Sequence, residues 1–406
     1  MDVSGDLTRE NIMKKVVILG GGFAGLEAAI FLRKKKYTVT LVSDRNFFFI
    51  YPTSIWVPTR DIEYKKNSID LAALQKAHGF ELVIDEVACI HARAGRVELQ
   101  SGHQITEYDY LILAIGMHKL KLPGIENTLS ICGSPQSSLL IRDRLDQLVA
   151  KGSGKLAFGF AGNPKDKSAM RGGPAFEILF NVHNMLKKKG LRDNFELTFF
   201  APMEKPGARM GEQALGMLDV SFTRLGIHRR FGKKINRFEK EAVIFADDSR
   251  LEADFIMFIP GGTGHSAVLA SDLPTNEAGF VQINDYCQVI FPDNDGPDNI
   301  YAVGDVAALE GPKWRAKQGH LAEVMARNTA FNIIARDKGQ KKQKGYQKHI
   351  NILCVMDSGD GAAFVYRDTQ RGVMFPMPYF GHWIKKSWCH YCRLSKLGKI
   401  PRIPCM

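Results

Sequence analysis

The chain has 406 residues, 45% apolar and 24% charged, with 55 lysines and arginines against 43 aspartates and glutamates. This mix excludes a disordered chain, a collagen-like repeat and a coiled-coil rod, and the length predicts two or three domains. No stretch approaches the roughly 20 apolar residues of a membrane-spanning helix, and seven cysteines are too sparse for a disulfide scaffold.

In chain order, Lys15–Leu19 (KVVIL) reads as a short buried strand, the glycine-rich run at 20–25 as a turn, residues 26–35 as a helix, and residues 37–42 (YTVTLV) as a second strand. Further strands are predicted at 82–84, 110–114, 155–161, 196–200, 255–259 and 300–303, and helices at 137–151, 174–189 and 319–335. Strands alternating with helices predict an α/β architecture with largely parallel sheets. Most of the net charge of +12 lies late in the chain: residues 336–348 carry six basic groups and one acid, and residues 371–406 carry seven and none.

Gly20-x-Gly22-x-x-Gly25, set between a strand and a helix, has the form of a dinucleotide loop. Its glycines permit a tight turn and a close approach of backbone to pyrophosphate at a helix N-terminus. The second strand ends at Ser43-Asp44, which makes Asp44, or alternatively Ser43, the candidate for a ribose hydroxyl. Two further segments, Tyr108 to Gly116 and Asn299 to Asp305, each read alone as a buried strand ending in a turn. Together with the first they resemble the FAD-binding signature of the two-dinucleotide-domain flavoproteins. The midway strand runs Phe158-Gly159-Phe160-Ala161-Gly162-Asn163-Pro164 without a third glycine, and the next helix starts only near Gly172. No second dinucleotide site is expected there.

Five segments narrow the resemblance to the sulfide:quinone oxidoreductase family, near the flavoprotein subunit of flavocytochrome c sulfide dehydrogenase and the type II NADH dehydrogenases. They are Tyr51 to Val57, Gly173 to Glu177, Met257 to Pro260, Lys317 to Glu323 and Cys354 to Asp360. The resemblance implies two Rossmann-like domains plus a C-terminal amphipathic membrane-binding region. The FAD domain would be discontinuous (13–125 and 280–368), the second domain would span 126–279, and the membrane-interface region 369–406. It implies FAD contacts at Ala114, Gly116, Gly304, Asp305, Trp56 and Lys317, with Asp305 on the sugar-alcohol chain. It also implies catalytic roles for Cys354, Cys132 and Glu177 in oxidising sulfide, or a related sulfur compound, and passing electrons to a membrane quinone. The family's redox cysteine shortly before Gly-Pro-Ala is absent, since that stretch reads Lys167 to Gly172 without one. A type II NADH:quinone oxidoreductase and a non-catalytic flavin-binding membrane protein therefore stay open as alternatives, as does a homo-oligomer.

From Phe380 onward, aromatic residues recur at three- and four-residue steps among lysines and arginines. This pattern predicts a basic amphipathic helix lying in the membrane interface, its aromatic face in lipid and its lysines at the headgroups. No nucleic-acid recognition fold accompanies the basic tail, so nucleic acid is not expected as a partner and a peripheral place at the cell membrane is. Cys389-x-x-Cys392 lacks a second pair, so it reads as two residues on that helix rather than a metal site.

Overall fold

The computed structural model describes residues 13–292 and 295–402. Five parallel strands form the first sheet, in the spatial order Ile300–Ala302, Tyr110–Leu113, Lys15–Leu19, Thr38–Ser43 and Glu81–Ile84. The register Lys15 opposite Thr38 and Val16 opposite Tyr110 brings the carboxyl ends of the three middle strands to one edge, where ligands bind in open parallel sheets. The inner strands Lys15–Leu19 and Tyr110–Leu113 are almost wholly apolar and buried, as expected where helices cover both faces. The helices Phe23–Arg33 and Gly319–Asp337 pack against each other and bury Leu26, Ile30, Met325 and Ala326.

A second parallel sheet has the order Ile227–Phe231, Phe195–Ala201, Gly154–Phe160 and Phe255–Ile259. Its core is rich in phenylalanine, with Phe176 stacked on Phe199 at 4.6 Å. Two short strands, His118–Lys119 and Gly262–Thr263, pair where the chain passes between the two units. The two sheets and their connecting helices agree with the α/β fold expected from the sequence, most element ends falling within one or two residues.

A third unit closes the chain. Ile352–Asp357, Gly361–Arg367 and Gly372–Pro378 form an antiparallel sheet, followed by the helix Phe380–Lys396. The boundary expected at 368/369 falls in the turn between the second and third of these strands. Ile352, Met356, Val365 and Met374 join the core of the second unit, whereas Cys389 and Cys392 join the core of the first. The C-terminal unit thus bridges both halves, directly over the region between them.

Candidate functional site

The glycine loop has the geometry of a phosphate cradle. Gly20 has φ +112° and its amide donates to the Val42 carbonyl at 2.8 Å, so the chain turns sharply off the first strand. A Cβ on Gly20 would lie 2.3 Å from the Ala114 carbonyl oxygen, and one on Gly25 1.8 Å from that of Gly20. Both positions are closed to any side chain. A Cβ on Gly22 would meet nothing within 4 Å, so the open side of the loop lies at the helix N-terminus, where free N–H groups face outward. Ser43 is buried, and its hydroxyl donates to the Arg45 carbonyl at 2.8 Å. Asp44 is exposed, with its carboxylate 3.7 Å from Arg45, so of the two it is the one whose side chain faces outward.

The two other glycine turns meet this loop. Gly116 has φ +78° with open space at its Cβ position, just beyond buried Ala114. Gly304, at φ +74°, packs on Ala24 and Ala322, which sets Asp305 beside the starts of both flanking helices. Asp305 is ion-paired with Arg171. Arg171 belongs to the loop that replaces a second pyrophosphate turn, in the stretch where the resemblance leads one to expect a cysteine. That loop is held from several sides: Asn276 donates to Asp166 at 3.0 Å, the Lys317 amide to the Ser168 carbonyl at 3.3 Å, and Arg209, from the second unit, to the Lys167 carbonyl at 2.8 Å. Lys317 is buried, donates to the Ala307 carbonyl and sits 4.0 Å from the centre of the Phe280 ring. Burial pushes its ammonium down to about 7, so its charge is conditional at neutral pH.

The thiol side of the site lies under the C-terminal helix. Cys354 is partly exposed as a residue, but its sulfur is enclosed by protein; this desolvation, with the nearby Glu177 charge, pushes the thiol up to about 12. Such a thiol stays protonated at neutral pH and needs a base to react. Glu177 is the carboxylate whose charge reaches it. It lies beyond the first turn of the helix Gly173–Lys188, so dipole compensation at the helix start is not its role. Its Oε1 accepts the Asp357 amide at 2.9 Å and is ion-paired with Lys385. Burial pushes the Glu177 carboxyl above the ordinary range while Lys385 pulls the other way, which moves it in the direction a general base requires. Asp357 in turn accepts Trp56 Nε1–H at 3.0 Å and contacts His382 Nδ1 at 2.7 Å. Trp56 is fully buried against the same core as Cys354 and Cys132. It is therefore a packing and hydrogen-bonding element beneath the thiols. Cys132 and Cys354 are both free thiols, and Cys132 lies close enough to Lys119 to influence its charge.

The C-terminal helix corrects one expectation. Trp383, Ile384 and Phe380 point outward, 67, 48 and 75% exposed, alongside Tyr379 at 78%. Its lysines do not all face outward with them. Lys385 pairs with Glu177, and Lys396 is buried between Glu27 and Glu323 at 2.8 and 2.5 Å. Arg393 donates to the Ser68 carbonyl at 2.7 Å. The inward stripe His382, Lys385, Cys389, Cys392, Lys396 is polar because it answers carboxylates already buried beneath it. Asp357 entered the sequence reading only as part of the Cys354 to Asp360 segment, and Lys385, His382 and Arg171 were given no role in the site. For Lys385 and His382 the spacing of that stripe, every three or four residues, was the available signal.

The pyridine nucleotide-disulphide oxidoreductase model matches residues 14–328. The chain belongs to that family. The Sulfide-quinone reductase of Aquifex aeolicus is 28% identical, covering 93% of this chain and 90% of its own. The sulfide:quinone oxidoreductase structure from that bacterium superimposes with a TM-score of 0.84 at 26% identity, covering 95% of this chain and 92% of its own. The Type II NADH:quinone oxidoreductase of Haemophilus influenzae is 26% identical with 80% of each chain covered. The family is one of flavin-carrying oxidoreductases, and the open side of the glycine loop fits such a group: at Gly22 the backbone leaves room for phosphates at a helix N-terminus. Among the described residues no helix is long and apolar enough to cross a membrane, and no cluster of three or more His, Cys, Asp or Glu is arranged to hold a metal ion.

Proposed function

We propose that this chain oxidises sulfide, or a related small sulfur compound, and passes the electrons through FAD to a membrane quinone. The observation that carries the reading is the pairing of the Cys354 thiol with the buried Glu177–Lys385 pair, roofed by a helix whose outer face is aromatic. Similarity over nearly the whole length to a sulfide-quinone reductase supports it.

FAD supplies a two-electron acceptor when bound. The glycine loop at Gly20, Gly22 and Gly25 would take its diphosphate and Asp44 the ribose. Gly304 and Asp305 would hold the sugar-alcohol chain, Ala114 and Gly116 would line the approach, and Lys317 would place a titrating charge nearby. Arg171, the ion-pair partner of Asp305, would lie at the same locus. Glu177 takes the proton from Cys354. The resulting thiolate and a hydrosulfide join as a persulfide on Cys354, releasing two electrons and one further proton. Cys132 lines the same core as a second thiol. The exposed group Tyr379, Phe380, Trp383 and Ile384 seats the protein peripherally on the cell membrane, beside the quinone.

Anaerobic titration of the yellow protein tests this. Sulfide should bleach the flavin band and a quinone should restore it, with Cys354→Ser abolishing the first step. Bleaching by NADH but not sulfide would replace the reading with that of a type II NADH:quinone oxidoreductase. Reduction by neither would leave a non-catalytic flavin protein.

A further inference from the structure

The C-terminal helix carries a second acid–base pair that the sulfur step does not use. His382 Nδ1 lies 2.7 Å from Asp357 Oδ2, with the histidine side chain 11% exposed and the aspartate fully buried. Asp357 Oδ1 already accepts Trp56 Nε1–H at 3.0 Å and the Gly359 amide at 2.9 Å. A carboxylate so placed accepts, so His382 is held with Nδ1–H as the donor. Its other ring nitrogen makes no hydrogen bond among the described residues, and the next residues along the helix are the exposed Trp383 and Ile384. One nitrogen is thus tied inward to a buried carboxylate while the other is free, on the helix whose outer face is the aromatic patch.

We propose that His382 is the acid that completes quinone reduction, with Asp357 as its positioning residue. The inference rests on the quinone reading above. A quinone that gains two electrons becomes a quinol by gaining two protons. One arrives with the electrons from the reduced cofactor, and His382 Nε2–H gives the other to a carbonyl oxygen, its imidazolium becoming imidazole and recovering a proton from water. Charged groups face His382 from its own helix and from the elements packed on it. Asp357 on the neighbouring strand is the counter-anion. Lys385 on the same helix is matched by Glu177 from the helix beneath, and Lys386 lies over the Trp56 ring at 5.8 Å. Cys354, three residues before Asp357 on the same strand, carries no charge until Glu177 deprotonates it. Burial pushes the Asp357 carboxyl up, but its hydrogen bonds with His382 and Trp56 overcome this and hold it below the ordinary range, so it stays an anion for the histidine.

The test separates the half-reactions of the holoprotein by stopped-flow absorbance. His382→Asn keeps an N–H at the position of Nδ1 and removes the free nitrogen and the titration. Reoxidation of dithionite-reduced protein by a soluble ubiquinone analogue should slow at least about tenfold more than reduction by sulfide does, and its pH profile should lose the imidazole inflection. Asp357→Asn, which loosens the hold on Nδ1, should slow reoxidation in the same direction and less than His382→Asn does. A readout that needs neither substrate is the emission of Trp56, whose ring centre is 5.4 Å from that of His382. An imidazolium this close quenches an indole, so the pH-dependent difference between the wild type and Trp56→Phe should vanish in His382→Asn. Equal slowing of both half-reactions, or unchanged reoxidation, would overturn the assignment. Failure of sulfide to reduce the flavin, with His382-dependent reoxidation after dithionite, would refute the sulfur donor and support the histidine's role.

Discussion

Lys385→Met is the substitution with the most exacting consequences. The two side chains are 7 and 5% exposed, so neither ion is reached by bulk water when its partner is removed. Removing one member of a buried pair typically costs about 3–5 kcal/mol, because the remaining charge is left uncompensated. Methionine keeps most of the volume of the lysine stem, so little of that loss comes from a cavity. Glu177 is left with only the Asp357 amide, at 2.9 Å, on its Oε1. It escapes the penalty by binding a proton, and the sign of the pH dependence follows. In the variant the native carboxyl has a pKa raised above the unfolded value near 4.5, so the native state binds a proton that the unfolded chain lacks. Stability must then rise as pH falls through the raised value towards 4.5, and the deficit shrinks. Guanidinium unfolding followed by tryptophan emission, at pH 5 and pH 8, should show the larger loss at pH 8. Lys385→Met with Glu177→Gln should recover most of it. A deficit that is equal at both pH values, or single-variant losses that add within about 0.5 kcal/mol in the double variant, would refute the pairing.

Four other outcomes are expected. Gly25→Ala drives a methyl group into the Gly20 carbonyl and should yield protein purified without flavin absorbance. Lys396→Met leaves Glu27 and Glu323 to Arg327 and Arg402, so the loss should lie at the lower end of about 3–5 kcal/mol, read from unfolding and from faster proteolysis of the C-terminal helix. Phe380→Ser/Trp383→Ser/Ile384→Ser removes side chains worth about 1.5–3 kcal/mol each when fully buried, so co-sedimentation with phospholipid vesicles should fall at least about a hundredfold while flavin content is retained. Lys317→Met should lower the flavin midpoint potential at pH 6 and leave it unchanged at pH 9, because the wild-type ammonium loses its proton near pH 7; an equal change at both pH values would show that its charge is not what the flavin feels.

The two Rossmann-like halves were legible because of where their strands lie. Parallel strands covered on both faces need continuous apolar runs, and KVVIL, YLIL and FIMFI stand out between glycine turns. The antiparallel elements did not stand out. Ile235–Glu239 spans only five positions, and its alternation is broken by consecutive exposed Asn236 and Arg237, where the register shifts against its neighbour. Gly372–Pro378 holds two prolines, which count against a strand in sequence. It is tolerated because it is the edge of its sheet, where Pro376 need not donate to a further neighbour.

The candidate site was legible only where one residue carries its own chemistry. Cys354, Glu177, Asp305 and the glycine loop announce themselves by type and spacing. Their partners do not, because the meaning of Lys385, Lys396 and His382 depends on carboxylates more than a hundred residues away in several cases. A lysine on an amphipathic helix rich in tryptophan reads as a headgroup contact, since an unpaired ammonium belongs in water. That reasoning fails when the surface beneath the helix already holds Glu27, Glu177, Glu323 and Asp357, all less than a tenth exposed. These buried acids would be costly on their own, and the cationic stripe of the C-terminal helix offsets them. The helix is thereby fixed in rotation: its charges must face inward, so Phe380, Trp383 and Ile384 are left to face out. The exposed aromatic patch is a consequence of the buried ion pairs, and a variant that neutralises the acids should loosen the patch without altering a single residue in it.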